Sequence, residues 1–433
     1  MLSPTTLLLT AGAGLALGGC SWKSAMDAGG AGGAAATGAG GAMSADAAGP
    51  DAPGEVGDAP ATDAATSDLA PPYFTASYHM GADITWVQHD EYYGATYLDT
   101  DGTAKDILVL LKNHGFNSVR MRAFVDPRAS DGYDKFDGFG DKAHTVTMAT
   151  RLKQAEMGFY LALHYSDNWA DPGKQCVPLA WQGLTTIDAM AKAVHDYTFD
   201  LVSALQAVGA TPQFVQVGNE ITSGMLIHVC NADGTPTSTN PVNGSISNWS
   251  NLATLLKAGI AAVKEVDPRI KTVLHIDKAK DANASMAFIN GALGQQVPFE
   301  VFADSAYVYW HGQPSGWQNT FNTLVTTFPN LSFVIPEYGN ETATDPPLTS
   351  TVRFVNDLVF NMPSNRGLGT WIYEPEHPFQ AGPFAGMSLG IGLFDGVHGD
   401  AGVETSDSWP IFPALPTAMS TYDQMKTAFA SRL

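Results

Sequence analysis

Basic residues are scarce in this chain. Its 433 residues include 22 Lys and Arg against 43 Asp and Glu, a net charge of −21 at pH 7 with a pI near 4.7. That shortage excludes the clustered Lys and Arg of a phosphate-binding surface, and with it a nucleic-acid partner. Charge of either sign is thin: only 15% of residues are charged, beside nine Trp and fourteen Tyr. Neutral polar groups and aromatic rings suit an uncharged, polyhydroxylated ligand better than an ionic one, although an acidic exported protein has the same composition without such a ligand. The apolar stretch from Leu7 to Leu17 is too short to span a bilayer comfortably. A Gly-rich dinucleotide fingerprint is lacking, and there are only three cysteines. The length allows one large core or two ordinary domains.

The first twenty residues, MLSPTTLLLTAGAGLALGGC, end their apolar run in small residues and read as a signal peptide. The ending LGGC resembles the lipobox of bacterial lipoproteins, with the departure that no Lys or Arg precedes the apolar run. That resemblance implies lipidation of Cys20, membrane association through the lipid alone, and, from Ser21 after it, sorting to the outer membrane or surface. The expected location is therefore outside the cytoplasm, lipid-anchored to the bacterial outer membrane or cell surface, or secreted. Residues 21–72 are Gly, Ala, Asp, Pro and Ser with almost no large apolar side chain, and such a segment cannot bury enough surface to offset its ordering entropy. It reads as a disordered tether. Residues 1–72 carry seven acids and one Lys, so the remainder, with 36 acids and 21 bases, is acidic in its own right. With Cys20 taken by the lipobox, Cys176 and Cys230 remain. Each falls shortly after a predicted strand and the two strands are consecutive, so a disulfide between them is expected in an oxidising compartment, two unpaired thiols being the alternative.

Beyond residue 73 short apolar strands alternate with helical periods about eight times. The strand candidates are 78–86, 117–124, 158–166, 213–220, 270–277, 301–310, 331–337 and 367–376. Eight βα units in one uninterrupted run favour a closed (β/α)8 TIM barrel over an open doubly wound sheet, and give one catalytic domain over 73–433 behind the signal peptide (1–20) and tether (21–72).

A barrel carries its chemistry at the carboxyl ends of its strands, and the polar residues collect there. Arg120 and Arg122 end strand two, His164 and Asp167 follow strand three, and Asn219 and Glu220 end strand four. Tyr307 and Trp310 end strand six, Glu337 ends strand seven, and Trp371, Tyr373 and Glu374 finish strand eight. Singly, each admits a structural reading: an Arg can neutralise a carboxylate and a Trp can cap the core. As a set they all fall at one end of the barrel. Glu220 and Glu337 sit on strands that face each other across the mouth. Two carboxylates about 5 to 5.5 Å apart are what a retaining glycosidase uses, one as acid/base and one as nucleophile. The more buried of two repelling carboxyls has its pKa raised and becomes the proton donor. Asn219 is placed to reach the hydroxyl beside the reacting carbon, Arg120 to keep Glu337 ionised, and Tyr307 to hydrogen-bond it.

The segments GADITW, NSVRMRAFVDP, HYSDNWADPGKQ, QVGNEITSGML, YWHG and IPEYG resemble the successive signatures of glycoside hydrolase family 53, the endo-β-1,4-galactanases of clan A, over residues 80 to about 400. The resemblance implies Glu220 as acid/base, Glu337 as nucleophile, no required cofactor, and cleavage of β-1,4-galactan in the type I arabinogalactan side chains of pectin. Some departures fall on other positions. After NEITSGML the family's Trp-Pro is replaced by Ile227, His228 and Val229 leading to Cys230; Tyr373 stands where a Trp precedes Glu-Pro; and SAYVYW lacks a double Tyr and Pro. Some bacterial members bind calcium in the loop after strand eight, where this chain has Asp395, His398 and Asp400, though scattered oxygen donors are common in loops.

Trp86, Trp169, Trp181 and Trp310 follow or end strands on the predicted active face, where rings can stack on a galactose, and Asp83, Asp171 and Lys174 can satisfy hydroxyls. The structural alternative is that one or two of these tryptophans plug the barrel mouth, Trp181 first among them. Two other functions are weighed: another clan A glycosidase (β-mannanase or β-galactosidase), and a surface polysaccharide-binding lipoprotein without catalysis, which would have no need of the glutamate pair. A monomer with a polysaccharide substrate is the expected state.

Overall fold

The computed structural model describes residues 71–232, 234–339, 348–376, 392–394 and 411–433. The eight apolar runs become eight strands: β1 (His79–Asp83), β2 (Ser118–Ala123), β3 (Gly158–Leu163), β4 (Phe214–Val217), β5 (Lys271–Ile276), β6 (Val301–Asp304), β7 (Ser332–Gly339) and β8 (Gly367–Tyr373). Each pairs in parallel with its neighbours in the chain, and β8 pairs with β1 from His79↔Gly369 to Asp83↔Tyr373, so the sheet closes. The helices between and after them are α1 (Ile107–Asn113), α2 (Lys142–Gln154), α3 (Ile187–Ala207), α4 (Trp249–Val266), α5 (Ala282–Gly294), α6 (Pro314–Thr327), α7 (Leu348–Phe360) and α8 (Pro416–Ala428). This is the (β/α)8 barrel expected from the alternation of periods.

Sequence accounts for where the helices start. Asp106, Asp141, Thr186 and Asp281 each accept a hydrogen bond from a backbone N–H of the following first turn, satisfying donors that have no partner inside the helix. The strands are buried on both faces, which is why they read as near-continuous apolar runs. Their outward residues pack on the helices. Their inward residues fill the lower barrel with Tyr160, Ala162, Phe214, Val273, Val301, Ala303, Val334 and Trp371. Trp371 is wholly buried there and donates its indole N–H to Ser118 Oγ at 3.2 Å. A side chain at Gly81 would begin 2.1 Å from the Trp371 ring, so only glycine fits beneath it. Arg432 closes the lower end, donating to the carbonyls of Ser77 and Gly367 at 3.1 and 2.7 Å.

Several strands end sooner than the sequence patterns suggest, β3 at Leu163 and β8 at Tyr373 among them. β1 stops at Asp83 and β4 at Val217, where Gly218 turns with φ 84°. β6 stops at Asp304; Ala306 and Tyr307 form a separate two-residue strand, and Val308–His311 is a helical turn that carries Trp310. Cys176 and Cys230 are joined by a disulfide with their Cα atoms 5.7 Å apart.

Candidate active site

Above the apolar filling, the same inward positions become polar: Arg120 and Arg122 on β2, Gln216 on β4 and His275 on β5 are all completely buried. Glu337 joins them through an irregularity in β7. Ile335 and Tyr338 both face outward into the core, and the register with β8 shifts between them, so the extra residue turns Glu337 to the inside. Tyr338 meanwhile hydrogen-bonds Tyr422 on α8 at 2.8 Å.

Glu220 arrives by a different device. It sits in the left-handed region, φ 45° and ψ 48°, immediately after the β4 turn. A non-glycine residue there is strained, and the surroundings hold it. Gln175 Nε2 donates to the carbonyls of Asn219 at 2.8 Å and Asp171 at 3.0 Å, clamping the kink to the loop after β3. The disulfide follows immediately, at Cys176.

The two carboxyls have contrasting surroundings. Glu337 Oε1 is 2.8 Å from Arg120 Nη2, and Tyr307 donates its hydroxyl to Oε2 at 3.0 Å. Among the described residues no cation pairs with Glu220; its Oε1 lies 2.7 Å from Ser305 Oγ. Burial raises the pKa of both. For Glu220 the negative charges of Glu337, Asp277 and Asp171 push further in the same direction and outweigh the lowering by a Ser305 hydrogen bond, carrying it well above the ordinary carboxyl value. For Glu337 the Arg120 guanidinium opposes burial. The proton shared by such a pair therefore resides on Glu220, and Glu337 is the anion.

Arg120 is the hub. It pairs with Asp83 through Nη1 and reaches Asn219 Oδ1 at 2.9 Å and Gln216 Oε1 at 3.2 Å through Nη2. Arg122 pairs with Glu374 at 2.5 Å, donates to the Tyr373 hydroxyl at 2.7 Å, and stacks its guanidinium 4.2 Å from the centre of the Trp169 ring. The two guanidinia thus face the carboxylates of Asp83, Glu337 and Glu374, which leaves the pocket anionic and favours retention of the proton on Glu220. His164 is buried with its Nδ1 accepting from Ala170 N–H at 3.0 Å; burial and the two arginines hold its pKa well below the usual histidine value, so it is neutral and bears its proton on Nε2.

Several expected ligands prove to have other tasks. Asp83 is fully buried, with Oδ1 taken by Thr85 and Oδ2 by Arg120, so it orients arginine rather than substrate. Asp167 accepts the backbone N–H groups of Asp126 and Leu179 at 2.9 and 2.7 Å and ties two loops; burial raises its pKa to about 6. Trp371 faces the lower barrel, because odd-numbered β8 residues point inward and it lies one layer below Tyr373. Trp181 is buried against Tyr165 and Tyr197, the structural role expected for it. By contrast, Trp169 and Trp86 are half-buried, Trp86 packing on Tyr133, while Lys174 is exposed. Trp310 is 54% exposed, edge to face with Tyr309.

Sequence reasoning missed Gln175, Gln216, His275 and Ser305. For Gln216 and His275 the available signal was polarity at inward positions of otherwise apolar strands, whereas Ser305 follows β6 and Gln175 lies in the loop after β3. Among the described residues no group of three or more His, Cys, Asp or Glu is arranged to hold a metal ion. Asp395, His398 and Asp400, the calcium candidates, lie outside the described residues, as does Cys20.

An acid in its protonated form opposite an arginine-held carboxylate can perform glycosyl transfer through a covalent ester. The model of "Glycosyl hydrolase family 53" matches residues 79–347. An uncharacterized protein of Niallia circulans is 35% identical over 58% of this chain, a match that spans 65% of that protein's length. An arabinogalactan endo-β-1,4-galactanase of Cellvibrio japonicus is 31% identical over 69% of this chain and 80% of its own. Among solved structures, the family 53 catalytic domain of Ignisphaera aggregans superposes with a TM-score of 0.66 at 26% identity, over 82% of this chain and 98% of that one. The chain belongs to glycosyl hydrolase family 53.

Proposed function

We propose that this glycoside hydrolase is a retaining endo-β-1,4-galactanase acting on the β-1,4-galactan of type I arabinogalactan. The observation that carries the mechanism is the asymmetry of the pair: Glu220 half-buried with no cation beside it among the described residues, Glu337 ion-paired to Arg120 at 2.8 Å. Glu337 attacks the anomeric carbon while the Glu220 proton passes to the departing glycosidic oxygen, giving a galactosyl ester. Glu220, now a carboxylate, takes a proton from water, which displaces Glu337 from the opposite face, so the β configuration is kept. Tyr307 and Arg120 hold Glu337 in line. The choice of galactan is supported by relatives named as arabinogalactan endo-β-1,4-galactanases at about 30% identity.

Asn219 donates Nδ2–H to the Ala170 carbonyl at 2.9 Å, and its second N–H serves the sugar hydroxyl next to the reacting carbon. Trp169, backed by Arg122, and Tyr373 are the stacking surfaces nearest the pair; Trp86 and Trp310 extend them along the mouth, with Asp171, Lys174 and His164 available to hydroxyls. The mature protein starts at a lipidated Cys20, exported and held by residues 21–72 at the outer membrane or cell surface, with 73–433 working as a monomer. The test is incubation with debranched galactan, mannan and an aryl β-galactoside, with the oligosaccharides resolved. Galacto-oligosaccharides from galactan alone among the polymers are expected. Manno-oligosaccharides, or cleavage of the aryl galactoside only, would redirect the assignment within the clan, and no hydrolysis at all would favour a binding protein.

A further inference from the structure

The acid's neighbours form a hydrogen-bond chain whose direction can be worked out, and it begins at Asn219. Asn219 Nδ2 faces a carbonyl, and Oδ1 receives Arg120 Nη2 at 2.9 Å and Gln216 Nε2 at 2.8 Å. Gln216 is itself fixed, since its Oε1 accepts the Tyr160 hydroxyl and its Nε2 also donates to the Gly218 carbonyl. The Asn219 Oδ1 is therefore an acceptor only, and His275 Nδ1, 3.1 Å away, must present a hydrogen to it.

His275 has one ring proton to give. It is completely buried, and burial together with the Arg120 guanidinium on β2 keeps it from becoming a cation. With that proton on Nδ1, Nε2 is a bare lone pair, 2.8 Å from Ser305 Oγ. Ser305 must donate there. Toward an ionised Glu220, 2.7 Å away, the Ser305 hydroxyl would donate and lower the carboxyl's pKa, but with its single hydrogen committed to His275 Nε2 it can only accept, from a protonated Glu220 Oε1. Only a protonated Glu220 completes the chain.

We propose that Ser305 and His275 are positioning residues that park the catalytic proton on Glu220 in the free enzyme, through the one-way chain Glu220 Oε1–H to Ser305 Oγ–H to His275 Nε2, with His275 Nδ1–H anchored on Asn219 Oδ1. This rests on the assignment of Glu220 as the acid. When the carboxyl turns its O–H into the cleft and releases the proton to a leaving group, the Ser305 hydrogen swings to the carboxylate. His275 Nε2 then faces an oxygen lone pair with no hydrogen between them, a buried acceptor left unsatisfied. That cost falls on the deprotonated state and pulls the proton back. The sign is opposite to the usual effect of a serine, whose hydroxyl donates to a carboxylate and favours ionisation.

Glu220 also faces Glu337 on β7, Asp171 after β3, and Asp277 after β5, the last paired with Lys278 at 3.0 Å. None of these is altered in Ser305→Ala or His275→Phe. Both variants should lower the Glu220 midpoint by about one pH unit, the size set by one unmade buried hydrogen bond. The midpoint is read by carboxyl 13C NMR of the intact protein, assigned with Glu220→Gln, and needs no substrate. The basic limb of kcat/KM on galactan, which reports the free enzyme, should move by the same amount. A midpoint that is unmoved or rises in a folded variant would overturn the chain. Should neither variant fold, long-range 1H–15N spectra of the unsubstituted protein decide: a neutral Nδ1–H tautomer of His275 is expected, and an Nε2–H tautomer or a cation refutes it. Absence of hydrolysis with the expected titration and tautomer would instead count against the proposed function and leave the chain intact.

Discussion

Replacing both Cys176 and Cys230 by serine probes how the acid's loop is held. The bond closes a stretch of 54 residues in sequence, and the loop entropy it removes from the unfolded chain is worth about 4 kcal/mol at 25 °C as an upper figure. Spread over the unfolding entropy of ~360 folded residues, that loss lowers the melting temperature by about 6 °C. The folded loop has other supports. Val177 N–H donates to the His228 carbonyl at 2.8 Å, and Ile227 and His228 N–H donate to the Gln175 carbonyl at 2.7 and 2.9 Å. Gln175, which clamps the Glu220 kink, thus stays in place without the sulfur bridge. Calorimetry of the double variant should show the lower melting point, while kcat on galactan at 25 °C stays within about twofold of the parent. A kcat that collapses with the melting point unchanged would refute this reasoning, and would mean that the bridge acts on local geometry in the folded state.

Three further outcomes follow from the site. Glu220→Ala should cut galactan hydrolysis by about 10²–10⁴-fold, whereas an aryl galactoside with a good leaving group still forms the intermediate and azide turns it over to a β-galactosyl azide; equal losses on both substrates without rescue would reverse the roles assigned. The folded-state pKa of Glu220 is raised, so its contribution to stability is complete below the unfolded value near 4.5 and is lost as pH rises through the folded one. Glu220→Gln should therefore be more stable than the parent at neutral and higher pH, with the gap closing in acid; denaturant midpoints across pH check the sign. Trp371→Ala should destabilise by about 3–5 kcal/mol, while Trp169→Ala should leave stability nearer the parent's and raise KM severalfold, a contrast that equal melting curves would contradict.

Much of the barrel could be read from alternation alone. Strands buried on both faces produce apolar runs that end in a polar residue, and each of the eight runs marks a strand in the structure. Their ends were harder, because β1, β4 and β6 stop where a turn residue or helical turn intervenes rather than where apolarity does. Facing was harder still. Trp371 and Tyr373 share one side of β8, yet one is barrel filling and the other borders the site, a difference of depth that no period encodes. The Glu337 orientation depends on a register shift against β8, a partner in space rather than in sequence. Glu220, Glu337, Arg120 and Asn219 were legible because strand-end position and chemistry agreed. Ser305 and His275 were not, since each is bland within its own segment and acquires meaning only where three strands meet.

Which carboxylate makes the covalent bond decides the mechanism. An activated 2-deoxy-2-fluoro-β-galactoside slows both steps but leaves formation of the ester faster than its breakdown, so mass spectrometry of the protein after incubation captures the intermediate. We predict a single added fluorogalactosyl group, mapped by peptide digestion to Glu337. Its appearance on Glu220, or the absence of any adduct from an enzyme whose first-released sugar has the α configuration, would contradict the assignment.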